Sequence, residues 1–85
     1  MNESLTSDLI KKYFPRAQDI TAYEEGEIWY FAVDRFDYSI VMFEDYVVLD
    51  MNDDREDGTL TRASLELALK DASIGNWDGH GRLLG

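Results

Sequence analysis

The sequence predicts an α+β domain in the order helix, antiparallel three- or four-stranded meander, helix. Three observations predict it. Apolar residues recur at helical spacing near each end of the chain. Between them, in EIWYFAVDRFDYSIVMFEDYVVLDM, apolar runs of strand length alternate with acidic turns. The connections between those runs are short, which makes neighbouring strands antiparallel. The 85 residues suit one domain, residues 1–85, with one modest core. A chain of this size buries only about 60–65% of the surface its unfolded form exposes, so its stability margin is slim.

The first helix is expected over Leu5 to Phe14. Ser4 is placed to cap it, and Asp8 lies in its early turns, where the helix dipole favours an anion. Leu5, Leu9, Ile10 and Tyr13 share one face. Lys11 and Lys12 stand near the C-terminal end, and Pro15 ends the element by disfavouring a helical Phe14. Asp19 to Tyr23 alternates weakly and reads as a short edge strand. Glu24-Glu25-Gly26 then turns the chain.

Ile28 to Val33 is rich in β-branched and aromatic residues. Trp29, Phe31 and Val33 point one way; Ile28, Tyr30 and Ala32 point the other. Tyr38 to Phe43 and Tyr46 to Met51 are the next strands. In the latter, Val47, Leu49 and Met51 oppose Tyr46, Val48 and Asp50. Asn52 to Gly58 reads as a polar loop. Thr59 or Thr61 is placed to cap a second helix, Leu60 to Ser73, with Leu65, Ala68, Leu69 and Ala72 as its apolar stripe. The tail, residues 75–85, reads as loop from its glycines, with Trp77 free to fold back onto the body. If both helices cover one sheet face, Ile28, Tyr30 and their neighbours lie on an open one. If the helices split, nothing apolar is exposed. The sequence leaves both arrangements open.

Eighteen acidic residues against eight basic ones give a net charge of −10. That exceeds the magnitude of about 2–8 that keeps a small domain soluble. Such a charge repels nucleic acid and membrane surfaces and attracts a basic protein. A meander sorts the carboxylates, because its turns alternate between the two ends of the sheet. Glu24, Glu25, Glu27, Glu44 and Asp45 fall at one end. Asp34, Asp37, Asp50, Asp53, Asp54, Glu56 and Asp57 fall at the other, with Arg35 and Arg55 among them. This second rim is the predicted partner-binding site, and Tyr30, Phe36, Tyr38 and Tyr46 are its predicted aromatic anchors.

No catalytic or metal-binding motif emerges, so no enzyme, cofactor or metal site is expected. Asp53 to Ser64 has an EF-hand-like Gly58 at its sixth position. However, Arg55 stands where an acidic ligand belongs, and Ser64 replaces the bidentate Glu. His80 is alone in a chain without cysteine, which rules out an ordinary zinc site. The absence of cysteine favours the cytoplasm. MNESLTSDL has no basic stretch followed by an apolar run, so no secretory signal is expected. No apolar segment approaches the length of a membrane span.

In overall character the chain resembles small phage-encoded inhibitors, including anti-CRISPR proteins and DNA mimics: very short, cysteine-free, strongly acidic, α+β and without catalytic residues. The resemblance implies a non-enzymatic inhibitor acting in a host cell's cytosol. Its partner would be a basic, nucleic-acid-binding protein whose phosphate groove the acidic rim occupies. The alternatives are an immunity-type protein that neutralises a toxic nuclease and an accessory subunit that forms a homodimer through an open sheet face. Asn76-Trp77-Asp78-Gly79 is similar to a tetrapeptide that recurs in small prokaryotic proteins.

Overall fold

The computed structural model describes residues 3–82, the last three by their backbone only. Helix α1 spans Glu3–Tyr13. Strand β1 (Gln18–Tyr23) leads through a short turn, Glu24–Gly26, into β2 (Ile28–Val33). Strands β3 (Phe36–Met42), β4 (Val47–Asn52) and β5 (Asp57–Arg62) follow, then α2 (Leu65–Ser73) and β6 (Gly79–Arg82). The strands form one sheet in sequence order, β1 to β6, and each pairs antiparallel with the next.

The α+β class and the helix–meander–helix order stand, with two corrections. The meander has five strands before α2, against the three or four expected. The fifth lies where a polar loop and a helix start were expected. In DGTLTR, Gly58 and Leu60 are buried while Thr59 and Thr61 are exposed, the period-2 pattern of a half-buried strand. Its threonines therefore serve the ladder with β4, and Ser64 caps α2 by accepting a hydrogen bond from the Leu67 N–H. The second correction is in the tail. Read as loop, it supplies β6, which extends the sheet beyond β5. A smaller difference concerns α1: it is already helical at Glu3, so Ser4 lies within its first turn.

Both helices lie on the same face of the sheet. Ile10 and Phe14 from the α1 end and Leu65, Ala68, Leu69 and Ala72 from α2 share one cluster with Trp29, Phe31, Ile40, Leu49 and Leu60. The register aligns this core in rows, Trp29–Ile40–Leu49–Leu60 and Phe31–Tyr38–Met51–Gly58. Phe14 reaches over the second row, its ring centroid 5.3 Å from Phe31 and 5.1 Å from Tyr38. The helices are also tied to each other. The Tyr13 hydroxyl donates to Glu66 Oε2 at 2.7 Å, Lys12 Nζ donates to the same oxygen at 3.3 Å, and together they hold the Glu66 carboxyl below its ordinary pKa. Among the described residues no helix is long and apolar enough to cross a membrane.

Asn76-Trp77-Asp78-Gly79 folds back onto β5, and its contacts are structural. Asp78 N–H donates to the Thr59 carbonyl at 2.9 Å, and Asp78 Oδ2 accepts from Thr61 N–H at 2.7 Å. Arg62 Nη1 donates to both Asp78 oxygens at 2.7 Å, while Arg62 Nε donates to Asp71 Oδ2 at 2.6 Å. One guanidinium thus fastens the end of α2 and the tail to the same strand. Trp77 closes over Gly58, where a Cβ would lie 3.0 Å from the indole Cδ2 and 3.2 Å from Cγ.

The bare glycine is therefore a seat for the indole. Gly58→Ala is expected to lower the melting temperature in the native chain, and to cost little once Trp77→Ala has emptied that seat. A double-mutant cycle by thermal unfolding measures the coupling, expected at about 0.5 kcal/mol or more. Equal costs in both backgrounds contradict the packing role.

Candidate protein-binding face

The sheet face opposite the helices is uncovered. Strand alternation and register arrange it in rows. The first row runs Tyr23, Ile28, Val41, Val48, Thr61. The second runs Thr21, Tyr30, Ser39, Asp50, Thr59, and the third ends in Asp37, Asn52 and Asp57. The face thus grades from apolar at the end bearing the β1–β2 and β3–β4 turns to acidic and polar at the other.

At the apolar end the large side chains stand in water. Tyr23 is 53% exposed, Tyr30 48%, Phe43 49% and Tyr46 43%. They are ordered in pairs. Tyr23 and Tyr30 meet edge to face at 5.4 Å, and Phe43 and Tyr46 stack at 4.7 Å. At the polar end a shallow cleft of about 560 Å³ is lined by Ser39, Asp50, Asn52, Asp57, Thr59 and Gly79, together with Met51 and Gly58. Carboxylates and hydroxyls with that spread suit donors such as lysine and arginine better than an anion.

The rim carboxylates collect on two turns at this polar end. Asp34 lies in the two-residue β2–β3 turn, where it takes a positive φ of 55°. Asp53, Asp54 and Glu56 lie in the β4–β5 turn. At about 4.8 Å per strand, the two turns stand roughly 10 Å apart. Asp37, Asp50 and Asp57 lie on the open face beside them.

Part of this charge is balanced internally. Arg16 Nη2 pairs with Asp34 Oδ2 at 2.8 Å, and Arg35 Nε with Asp53 Oδ2 at 2.7 Å. Asp53 is also the keystone of its turn. Its Oδ1 accepts from the Arg55 N–H at 2.7 Å and the Glu56 N–H at 2.8 Å, and its side chain is only 4% exposed. The Arg55 and Glu56 N–H groups, with the Arg35 charge behind them, hold its carboxyl below the usual pKa. Asp53 therefore shapes the rim from beneath, while Asp37, Asp54 and Asp57 are exposed and Asp50 and Glu56 half-buried.

Two expected anchors lie elsewhere. Tyr38 is 8% exposed and stacks on Phe31 at 4.8 Å, so it belongs to the core. Burial, with the Asp34 and Glu56 charges adding to it, raises its phenol above the ordinary pKa. Phe36 is half-buried against the same core, with the Arg35 guanidinium 5.1 Å over its ring. The register explains both, because Phe36 and Tyr38 alternate in phase with Ile40 toward the helices. Tyr30 and Tyr46 are exposed as anchors require, but toward the end away from the rim. Tyr23, Val41, Phe43 and Val48 join the face as well. Carrying the alternation of Ile28 and Tyr30 across to β3 and β4 would have found Val41 and Val48. Among the described residues no group of three or more His, Asp or Glu is placed to hold a metal ion.

No family model, curated protein or solved structure matches the chain.

The role of Asp53 is testable by pH. Its lowered pKa adds stability that is complete above the unfolded value of about 3.9 and is lost as pH falls through the folded value. Asp53→Asn keeps an oxygen acceptor but removes the charge. The variant is expected to melt below the native chain at neutral pH, and the gap is expected to close in strong acid. A gap independent of pH contradicts the assignment.

Proposed function

We propose that this protein is a non-enzymatic inhibitor that binds a basic, nucleic-acid-handling protein through its open sheet face and adjoining acidic rim. The observation that carries this reading is the composition of the uncovered face. Exposed aromatic and half-buried aliphatic side chains at one end merge into carboxylates at the other. An apolar patch surrounded by polar residues is typical of a protein interface. The chain's charge of −10 selects a basic partner. Phe43, Tyr46, Tyr23 and Tyr30 supply area for anchoring. The rim acids Asp37, Asp50, Asp54, Glu56 and Asp57 supply steering and compete for cations that otherwise meet phosphates. An immunity-type protein facing a toxic nuclease would use the same surface, and the two readings differ only in the target's origin.

A homodimer through this face fits less well. With the two-fold axis along the strands, Asp37, Asp50 and Asp57 would meet their own copies. With the axis across the strands, they would meet aromatic side chains. Either arrangement buries carboxylates without a cation, which is costly.

The test is capture from bacterial lysate at low and high salt, using the native chain and an Asp37→Lys/Asp54→Lys/Asp57→Lys variant. Asp53 is left intact because it holds its turn. The native chain is expected to retain a basic nucleic-acid-binding protein that is released by salt, is lost by the variant, and no longer binds nucleic acid while complexed. Retention by the variant at the same salt, or an unchanged nucleic-acid affinity of the captured protein, contradicts the reading.

A further inference from the structure

The aromatic end of the open face has its own charge environment, opposite in position to the rim. Glu24, Glu25 and Glu27 sit in the β1–β2 connection, and Glu44 and Asp45 in the β3–β4 turn. No lysine or arginine occurs between Tyr23 and Ile28 or between Phe43 and Val47. All five carboxylate residues are exposed, and among the described residues none has an ion-pair partner. Arg62, at the same end of β5, is engaged by Asp71 and Asp78. The rim differs on this point, since Arg16 and Arg35 balance part of its charge. The unbalanced carboxylates therefore stand beside the exposed aromatic rings.

A shallow cleft of about 410 Å³ joins the two features, lined by Tyr23, Glu24, Ile28 and Tyr30. It offers two aromatic rings, an aliphatic wall and one carboxylate. That set matches an arginine side chain: a guanidinium that stacks on a ring and pairs with a carboxylate, on an apolar stem that covers isoleucine. A lysine ammonium is compact and strongly hydrated, and gains less from a ring face. The Phe43–Tyr46 stack beside Glu44 and Asp45 repeats the combination two strands away, so successive basic residues of one extended segment can each find a place.

We propose that the aromatic end of the open sheet face is a receptor for an arginine-rich segment of a partner protein, whose guanidinium groups stack on Tyr23, Tyr30 and Tyr46 and pair with Glu24, Glu44 and Asp45. This rests on the reading that the partner is basic, and it adds which basic residue is recognised and at which end of the face.

The test uses fluorescently labelled nona-arginine and nona-lysine peptides, which carry equal charge, with binding followed by fluorescence anisotropy. The native chain is expected to bind nona-arginine more tightly by about three- to tenfold. Tyr23→Thr/Tyr30→Thr/Tyr46→Thr retains residues suited to strands and is expected to abolish that preference. Glu24→Gln/Glu44→Gln/Asp45→Asn leaves the rings in place and is expected to weaken both peptides. Melting curves verify that each variant folds. Equal affinity for the two peptides, or a preference that survives loss of the tyrosines, overturns the arginine receptor. Binding weakened only by Asp37→Lys/Asp54→Lys/Asp57→Lys overturns it while leaving the rim reading in place. Failure of the native chain to bind either peptide overturns both.

Discussion

The packing of Phe14, Ile10 and Leu69 onto the Trp29–Ile40–Leu49–Leu60 and Phe31–Tyr38–Met51 rows commits both helices to one face of the sheet. The rest of the structure depends on that one-sided cover. A six-stranded sheet with two short helices cannot be sheltered on both faces, so everything that alternates away from the core meets water. Tyr23, Tyr30, Val41 and Val48 are left uncovered for this reason, and Asp37, Asp50 and Asp57 share their face. A large-to-small change at Ile40 or Leu60, both fully buried, is expected to cost about 2–5 kcal/mol. That is much of the total for a domain of this size, which has about 0.05–0.15 kcal/mol per residue.

The tail completes the covered side. The glycine at 58 leaves room for the Trp77 ring, and Arg62 of β5 holds both α2, through Asp71, and the segment leading into β6, through Asp78. The edges of the sheet are managed separately. At one, β1 carries a register irregularity between Gln18 and Thr21, with Asp19 at a positive φ of 56°. Such a bulge twists an edge strand and discourages pairing with another chain. The first connection is strained in the same sense. Glu24 and Glu25 take φ values of 52° and 56°, which non-glycine residues rarely adopt.

Local pattern made much of this legible, and pairing partners made the rest. Ile28 to Val33 reads as a strand because β-branched and aromatic residues fill it, and its bounds match those of β2. The stripe Leu65, Ala68, Leu69, Ala72 is the buried side of α2. The start of that helix was misplaced because Thr59 and Thr61 suit a helix cap as well as a strand, and only the ladder with β4 decides between them. β6 has glycine at two of its four positions, so no local propensity announces it. Tyr38 and Tyr30 look alike in sequence, and the parity of each position relative to Ile40 or Trp29 separates the exposed ring from the buried one. The sorting of acids to two ends follows from meander topology. Their neutralisation does not, because Arg16–Asp34 and Arg35–Asp53 join residues 18 positions apart in sequence.

The proposed docking of a basic protein on the face the helices leave bare has a direct readout. Amide chemical-shift mapping of the labelled chain against its captured partner tests it most directly. The largest perturbations are expected on β1 to β5 at Tyr23, Tyr30, Val41, Val48, Asp50 and Asp57, with α1 and α2 nearly silent. Perturbations concentrated on the exposed sides of α1 and α2, at Leu5 and Leu67, with those strand amides unmoved, would contradict it.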